Sequence, residues 1–503
     1  MKNKKIIIIL TFLLVLIGGI FLVNNIYQSR NKINKTKRKK QNNLAIIIKD
    51  ENGVETTSKE IPKGLYELNY EKSFCKNNGK ILNYDNILGK VSFSFIGTDG
   101  CYLYFDYAPY GYLQILNNNG GKTAIKAKDK IDLDKTTIGE IGMHAAEDDL
   151  GTSYFFNLRD VQGDVNNWVK FGKEPQAKCI YNDQQVNIGY LYAAAEEFVS
   201  VGVIKTQEEC TSASGLCYSP DFGYLIGVTE NECSDAGTWI DAKPSYKGME
   251  MVDIYWNIIR INGDNSIRII YSNNVESDNM KMGIGSSQYN EYNDKAEYVG
   301  YMYEIGKQHG FKESSTIKLF IDNWYKTTSL STEDSKYIAD TIFCNNRIVS
   351  LTEDITEDNF ATLQDWSSTG INYYYRGFKT LDTTSDMLWK AKLQPIFSCP
   401  TNDDRFTVNT INGLGNSALT YPVGLITLDE RVFFRFNSVS LLGSSTITPF
   451  KFNNSAQMIT IANGSVSENV THSLMVRPVI SLSSKVKFTG DGTLSNPYVI
   501  SDN

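Results

Sequence analysis

Residues 255–271 place the strongest constraint on the fold of this chain, because their pattern predicts a β-hairpin. Two runs rich in isoleucine and aromatic residues flank Asn262-Gly263-Asp264-Asn265, and asparagine and glycine accept the positive φ angles of a tight turn. Apolar residues alternate on both faces of the runs, with Trp256, Ile258, Ile267 and Ile269 on one face and Tyr255, Ile259, Ile261 and Ile270 on the other. Strands that are apolar on both faces lie inside a domain. The hairpin is therefore predicted to form the core of a large C-terminal domain.

Length and composition indicate a folded protein with more than one domain. The 503 residues suffice for two or three domains, and 41% hydrophobic residues beside 21% charged residues supply sizeable cores. The formal net charge of −7 argues against nucleic acid as a main partner.

The N-terminal residues 6–23 are apolar apart from Thr11 and the pair Gly18-Gly19. At about 1.5 Å per helical residue this segment spans roughly 27 Å, close to the thickness of a bilayer core. Lysines precede it and no Ala-x-Ala pattern follows it, so an uncleaved signal anchor is predicted rather than a removable signal peptide. The predicted boundaries are a cytoplasmic tail over 1–5, a transmembrane anchor over 6–24 and a basic linker over 25–43.

The orientation of this anchor involves a conflict. Seven basic residues lie between positions 30 and 40, and the positive-inside rule would place the C-terminal side in the cytoplasm. Large following domains, however, translocate largely regardless of charge, and an even number of cysteines favours an oxidising compartment. We therefore expect a single-pass protein of the cell membrane with extracellular C-terminal domains.

Downstream of the linker, the hydrophobic pattern divides the chain into two domains. Alternation with period two predicts a small β-sandwich-like module over 44–108, followed by a linker over 109–144. Residues 145–503 combine strand patterns with two helical patterns, one over 317–325 and one that begins at Ser331, with apolar residues between 337 and 343 facing inward. This mixture predicts an α+β fold, interrupted by an insertion over 173–249.

Eight cysteines provide a second constraint. The even count and the absence of any Cys-x-x-Cys favour disulfide bonds over zinc or thioredoxin-like sites. Cys75 and Cys101 lie near predicted strand ends, where a bond would staple a module whose core alone is marginal. In the insertion, TQEEC at 206–210 is repeated as TENEC at 229–233, and the capping-box spacing of both copies places each cysteine one turn into a short helix.

Few residues have the spacing of a catalytic or metal site. The histidines, His144, His309 and His472, are far apart in the sequence. Acidic clusters at 147–149, 402–404 and 490–492 offer oxygen ligands for calcium, but none has the spacing of a calcium loop, and solvated turns are the preferred interpretation. The aromatic run at 373–376 is suited to stacking on a sugar, although packing in a core is the more frequent role.

Several motifs, in order, resemble a known family. They are GTSYFF at 151–156, YWNIIRINGD at 255–264, WY at 324–325, YIAD at 337–340, FCNNR at 343–347, YPVGLIT at 421–427, RPVI at 477–480, GDGT at 490–493 and NPY at 496–498. Together they resemble an uncharacterised cell-surface protein family of low-GC Gram-positive bacteria, whose repeated domain is distantly similar to the C-type-lectin and formylglycine-generating-enzyme architecture. The resemblance covers residues 145–503, and residues 45–106 resemble a small β module that occurs beside this domain.

The resemblance implies a surface domain without assigned chemistry. A formylglycine-generating site needs a reactive cysteine pair in the C-terminal core, whereas Cys344 and Cys399 lie in segments with a structural pattern and are expected to pair with each other. The other four cysteines allow three pairings, among which a Cys210–Cys233 bond is favoured and Cys179 and Cys217 stay unassigned.

The resulting expectation is a membrane-anchored extracellular binding or adhesion protein whose ligand is a glycan, a wall polymer or a partner protein. Two alternatives are an extracellular, carboxylate-based enzyme that acts on glycans, and a structural envelope protein without a ligand. A ligand site is expected in the insertion or in the polar loop over 272–296. No nucleic-acid partner, cofactor, metal site or catalytic residue is predicted.

Overall fold

The structure is a computed structural model that describes residues 44–76, 79–85, 89–94, 100–120, 143–156, 166–191, 198–202, 204, 206–220, 223–234, 237–272, 283–350, 373–375, 396–433, 444–452, 454–462 and 465–501. The predicted cytoplasmic tail, the transmembrane helix over 6–24 and the basic linker lie outside these residues. Within the described part of the chain, no helix combines the length and the apolar character that crossing a membrane requires.

Strands dominate the structure, with 46% of it in strands and 15% in helices. The predicted α+β class is therefore wrong. One cause is the second helical pattern, because after Ser331 the chain forms only short 3-10 turns, and Ile338–Ala339 becomes a strand paired with Leu482 and Ser481. Pairing with a buried strand here outweighs a weak local preference for helix.

The chain divides into two compact units, Met1–Ala108 and Pro109–Asn503. The strands of the first unit are β1 (Leu44–Lys49), β2 (Glu55–Ser58), β3 (Tyr66–Leu68), β4 (Phe74–Cys75), β5 (Lys80–Asp85), β6 (Lys90–Ser94) and β7 (Cys101–Tyr107). β7 lies parallel to β1 and antiparallel to β3 and β4, β2 pairs with β1, and β5 and β6 form a separate hairpin. Side chains of this hairpin pack against a core of Ile46, Leu68, Leu103 and Phe105.

The second unit begins with a helix and continues mainly as strands. Its helices are α1 (Gly111–Gly120), α2 (Gln207–Thr211), α3 (Glu230–Ser234), α4 (Thr316–Thr327) and α5 (Leu428–Phe433). Its strands are β8 (Met143–Asp148), β9 (Gly151–Phe156), β10 (Trp168–Tyr181), β11 (Gln184–Leu191), β12 (Phe198–Gly202), β13 (Leu216–Ser219), β14 (Gly223–Ile226), β15 (Thr238–Ile240), β16 (Ser245–Ile261), β17 (Ile267–Ser272), β18 (Ser286–Gln288), β19 (Met302–Tyr303), β20 (Glu313–Ser314), β21 (Ile338–Ala339), β22 (Phe343–Cys344), β23 (Val349–Ser350), β24 (Tyr373–Tyr375), β25 (Arg405–Phe406), β26 (Ser445–Phe452), β27 (Ala456–Ala462), β28 (Ser465–Asn469), β29 (Ser473–Met475), β30 (Val479–Leu482), β31 (Lys487–Thr489) and β32 (Tyr498–Ser501).

The predicted hairpin is confirmed as the centre of the main sheet. β16 and β17 pair antiparallel, with Trp256 opposite Tyr271 and Ile258 opposite Ile269. The turn places Asn265 at φ 67°, the left-handed conformation that asparagine tolerates. The strand order is β15-β13-β14-β11-β10-β16-β17-β30-β21, so both hairpin strands have a neighbour on each side. The isoleucines of the hairpin that were predicted as core, together with Trp256, are fully buried.

The helix predicted over 317–325 is confirmed as α4. The side chain of Ser315 caps it by accepting a hydrogen bond from the Lys318 N–H. On its buried face, Trp324 lies with its ring centroid 6.4 Å from that of Trp256, and its indole N–H donates to Glu174 at 2.7 Å. The helix therefore packs on the hairpin through aromatic side chains.

The segment predicted as a linker over 109–144 starts with α1, which belongs to the second unit. Leu113, Ile115 and Leu116 are buried, and Asn118 donates to the Tyr498 hydroxyl at 2.9 Å. Burial of these apolar residues explains why this part of the segment is ordered as a helix rather than a connector.

The predicted insertion grows out of the main sheet through two long strands. β10 and β16 pair antiparallel from Trp168–Asn257 to Ile180–Ser245, well beyond the hairpin. At their far end, β11 to β15 and the short helices α2 and α3 enclose a small core of their own that includes Val186, Leu216 and Ile226. The two copies of the repeated motif form capping boxes as predicted, since Thr206 with Glu209 and Thr229 with Glu232 exchange hydrogen bonds.

The disulfides agree with two of the expected pairs and overturn the third. Cys75–Cys101 and Cys344–Cys399 are formed. The expected Cys210–Cys233 bond is wrong, because Cys210 pairs with Cys179 and Cys233 pairs with Cys217. Each repeat helix is thus linked to a strand (α2 to β10, α3 to β13) rather than to the other helix. All eight cysteines are paired, which indicates an extracellular or secreted protein.

Candidate functional site: a buried charge network and an exposed tyrosine strip

A buried charge network lies against the hairpin. Arg260 and Arg268 are directly opposite each other on β16 and β17, an arrangement that like charges disfavour. Oε1 of Glu430 lies between them, 2.9 Å from Nη2 of Arg260 and 2.6 Å from Nε of Arg268. Asp148 adds a second carboxylate, 3.3 Å from Nη1 of Arg260. Arg268 and Glu430 are 1% and 2% exposed, so this charge pairing takes place out of solvent.

The local sequence around Glu430 fixes its side chain in contact with the two arginines. Thr427-Leu428-Asp429-Glu430 forms a capping box at the start of α5, in which the Glu430 N–H donates to the Thr427 hydroxyl and the Thr427 N–H donates to Oε2 of Glu430. This leaves Oε1 for the arginines. Burial alone would raise the pKa of Glu430, but Arg268 and Arg260 outweigh it and hold the pKa below its ordinary value. Burial also lowers the pKa of Arg268 to about 10. Because this value is still well above 7, the guanidinium stays charged at neutral pH.

A small pocket opens onto this network. Phe397 and Phe343 cover the guanidinium groups of Arg260 and Arg268, each at 4.6 Å from ring centroid to Cζ. The free interior of the pocket is about 40 Å³, enough for a few water molecules and too little for a sugar ring. Since the arginines are already neutralised by carboxylates, the arrangement is best explained as the link between the hairpin, α5 and the segment that contains Phe397.

A second network surrounds Asp404. This fully buried carboxylate binds Nε of Arg347 at 2.7 Å through Oδ1, and accepts the Arg347 N–H at 2.9 Å through Oδ2. Nδ1 of His309 lies 2.9 Å from the same Oδ2. Such a carboxylate orients an imidazole, but the described contacts of His309 include no serine, threonine or cysteine side chain that it could activate.

Stability of the second unit is expected to depend on Asp404 in acid. Burial alone would raise the pKa of Asp404, but Arg347 and His309 outweigh it and hold the pKa below its ordinary value of 3.8. Because the pKa in the folded state lies below that in the unfolded chain, this contribution is complete above about pH 4 and is lost as the pH falls through the folded-state value.

Denaturant titrations from pH 2 to pH 7 measure this contribution. The wild type should lose more stability below pH 4 than Asp404→Asn, whereas Asp403→Asn, which changes the exposed neighbour, should follow the wild type. Equal pH dependence in wild type and Asp404→Asn would contradict the assignment.

The acidic clusters named in the sequence therefore have different roles. Solvated turns were the preferred interpretation, and this is wrong for three aspartates. Asp404 is buried and the side chains of Asp148 and Asp149 are only 7% exposed, and the three form ion pairs with Arg347, Arg260 and Arg405. It holds for Asp491, an exposed residue whose Oδ1 accepts from the Thr493 N–H at 3.0 Å. No group of three metal-ligating side chains is found among the described residues.

Among the side chains that the structure describes, the other sequence candidates share no partner. His472 lies 2.8 Å from Glu468, away from the Asp404 partner of His309, and His144 is part of β8. The aromatic run at 373–376 contributes Tyr373–Tyr375 as β24, and its side chains lie outside the description. Arg260 and Arg268 were missed in the sequence. The sequence pattern could have indicated them, since two arginines in equivalent positions of a hairpin that is apolar on both faces require a shared anion.

A partly exposed group of tyrosines lies on the insertion, where a ligand site was expected. Tyr218 and Tyr224 are opposite each other on β13 and β14, with ring centroids 5.1 Å apart. Tyr181, at the end of β10, lies with its ring centroid 5.0 Å from that of Tyr224, in an edge-to-face arrangement. We call these three residues the insertion tyrosine strip. Tyr218 is 39% exposed, and Asn182 donates to the Tyr224 hydroxyl at 3.5 Å.

The fold of the insertion holds this strip in place. Tyr181 and Tyr224 pack on the small core that contains the Cys179–Cys210 bond, and Cys217, next to Tyr218, is bonded to Cys233. The turn between β10 and β11 uses Asn182 and Asp183 at φ 49° and 60°, as two-residue hairpins require. The rings of Tyr181 and Tyr218 are turned by 73° and 54° from that of Tyr224. A fixed group of rings with adjacent amide and hydroxyl groups can contact a ligand and form hydrogen bonds to it without reorganisation.

Comparison of the chain with protein-family models, with curated proteins and with solved structures gave no match.

Proposed function

We propose that this is an extracellular binding protein that takes a carbohydrate on the insertion tyrosine strip. The observation that supports this most directly is the group formed by Tyr181, Tyr224 and Tyr218 on a disulfide-linked sheet, in which Tyr224 lies 5.0 Å and 5.1 Å from the other two rings. Tyrosine combines an apolar ring face with a polar hydroxyl group. It is enriched at surfaces where the ring contacts an apolar group and the hydroxyl stays solvated. The faces of sugar rings present such mixed surfaces.

Binding is better supported than catalysis because three carboxylates of the two charge networks are already paired with arginines. A glycosidase needs two carboxyl groups facing each other across a cleft, one of them able to donate a proton. Asp148, Asp404 and Glu430 are instead held by arginines, and the pKa values of Asp404 and Glu430 are lowered. The resemblance to a bacterial cell-surface family agrees with a wall polymer as the source of the carbohydrate. Attachment to a membrane through residues 6–24 stays a prediction from the sequence.

The proposal predicts that Tyr218→Ala and Tyr224→Ala each weaken carbohydrate binding by about tenfold, the effect of losing one stacking ring. The full-length chain is first applied to an array of glycans and purified cell-wall polymers. Affinities of the variants are then measured for the best-bound carbohydrate. Tyr70→Ala is the matched control, because Tyr70 is an exposed tyrosine of the other compact unit.

Two results would contradict the proposal. One is an array without any signal above background. The other is carbohydrate binding that Tyr218→Ala and Tyr224→Ala leave at the wild-type level while both variants keep the wild-type unfolding temperature.

A further inference from the structure

A second group of tyrosines, separate from the insertion tyrosine strip, lies at the C-terminal end of the polar loop and just after it. Tyr298 is at its centre, with the ring of Tyr303 at 5.3 Å in an edge-to-face arrangement and the ring of Tyr292 at 5.9 Å. Tyr292 is 59% exposed, whereas Tyr298 is 9% exposed and fixes the position of both neighbours. We call these three residues the acidic tyrosine cluster.

Carboxylates surround this cluster. Burial is the main cause that raises the pKa of Tyr298, and Asp294, Glu297 and Glu313 raise it further. The pKa of Tyr303 is raised by burial and by Glu313, which lies opposite it in the β19–β20 pair and shares a hydrogen bond with its hydroxyl. The neighbouring Lys307 and Lys312 both bind Glu304, at 3.0 Å and 2.7 Å. The rings therefore lie in a negative potential.

Glu297 adds an independent observation. Its side chain is buried, and Oε1 accepts the Gly306 N–H at 2.7 Å. Oε2 has no hydrogen-bond partner, and no cationic side chain forms an ion pair with Glu297, among the residues that the structure describes. A buried carboxyl group without a cation is costly, so a positive charge supplied from outside the chain would stabilise this region.

We propose that the acidic tyrosine cluster binds an organic ammonium group, with Tyr292 and Tyr303 offering ring faces and Asp294, Glu297 and Glu313 offering opposite charge. Ammonium groups are attracted to tyrosine faces within about 6 Å of the ring centroid, and several rings at this spacing can contact one cation. The carboxylates select against a neutral group of the same shape. An N-methylated ammonium fits best, because its methyl groups contact the apolar rings while the charge stays close to the carboxylates.

The test compares ligands that differ only in charge. Binding of choline to the full-length chain is measured by calorimetry or by ligand-observed NMR, beside 3,3-dimethylbutan-1-ol, its uncharged isostere, and butylammonium, a primary amine. Choline should bind at least about tenfold more tightly than the isostere. Butylammonium binding more weakly than choline supports the N-methylated ligand, and butylammonium binding as tightly supports an ammonium site without selection for methyl groups.

Two variants connect the binding to this cluster. Tyr292→Ala removes an exposed ring and should weaken choline binding by about tenfold, and Glu313→Gln keeps a hydrogen-bond acceptor for Tyr303 while removing the charge, with a loss of about threefold or more. Tyr218→Ala is the control and should bind choline like the wild type, which also separates this site from the proposed carbohydrate site. Equal binding of choline and its isostere, or wild-type affinity in Tyr292→Ala, would overturn the proposal.

Discussion

Replacement of Glu430 by glutamine is expected to lower the free energy of unfolding of the second unit by about 3–5 kcal/mol. The variant keeps the size of the side chain and the capping position in α5 but removes the negative charge between Arg260 and Arg268. Two buried guanidinium groups then face each other across β16 and β17 with only Asp148 to compensate them. An unpaired buried charge costs far more than an exposed pair contributes.

Denaturant-induced unfolding of the full-length chain at neutral pH measures this effect. Glu250→Gln is the matched control, because Glu250 forms an exposed ion pair with Lys178 at 4.0 Å, and its loss should cost less than about 1 kcal/mol. The double variant Arg268→Met, Glu430→Leu should recover part of the loss, since it removes both a charge and its partner. Equal effects of Glu430→Gln and Glu250→Gln would show that the network is not the link we infer.

Removal of the Cys344–Cys399 bond by a double serine substitution is expected to destabilise the second unit by about 4 kcal/mol. The two cysteines are 55 positions apart, and a disulfide that closes a loop of this length restricts the unfolded chain by about this amount in the chain-entropy description. The bond also holds Cys399 where its N–H donates to Asp149 and its carbonyl oxygen accepts from Arg405.

The Cys217–Cys233 bond, with a separation of 16, provides the comparison. Its removal should cost about 3 kcal/mol, less than removal of the longer connection. Thermal and chemical unfolding of both double-serine variants, followed by circular dichroism, give the two values. A larger loss from the shorter loop would mean that local contacts, not loop closure, dominate the effect of these bonds.

The parts of the fold that follow from short-range patterns were predictable. The hairpin at 255–271 has an unambiguous turn and apolar residues on both faces, and α4 has a cap and an apolar stripe. The capping boxes at Thr206 and Thr229 follow from a spacing of three residues. In each case the interactions that decide the conformation lie within a few positions of each other, so the sequence contains the full signal.

The predictions that are wrong concern residues whose interaction partners lie far away in the sequence. Asp148, Asp149 and Asp404 lie in segments with the composition of exposed turns, and pairing with arginines far along the sequence removes their side chains from most contact with solvent. The segment after Ser331 has helical spacing, but its residues pair with β30 near the C-terminus instead. The pairing of Cys179, Cys210, Cys217 and Cys233 likewise depends on which strand each repeat helix packs against.

The sites that we propose lie in or beside segments that the sequence analysis named, and their composition was not predictable. The insertion tyrosine strip lies in the insertion, whereas Tyr292 lies within the polar loop and Tyr298 and Tyr303 follow it. Their grouping could not be read from the sequence, because Tyr181, Tyr218 and Tyr224 come from three strands whose pairing mixes parallel and antiparallel neighbours.

The long pair of β10 and β16 has a mechanical consequence for the ligand site that we propose on the insertion. A pull on the insertion tyrosine strip acts along both strands, which enter the main sheet side by side and are paired there with β17, β9 and β32. Such a pull loads these hydrogen bonds together in shear instead of opening them one after another. At the tip, the Cys179–Cys210 and Cys217–Cys233 bonds limit how far the insertion can extend. A tethered ligand bound to the strip, as we propose, would therefore transmit tension to the paired strands of the main sheet.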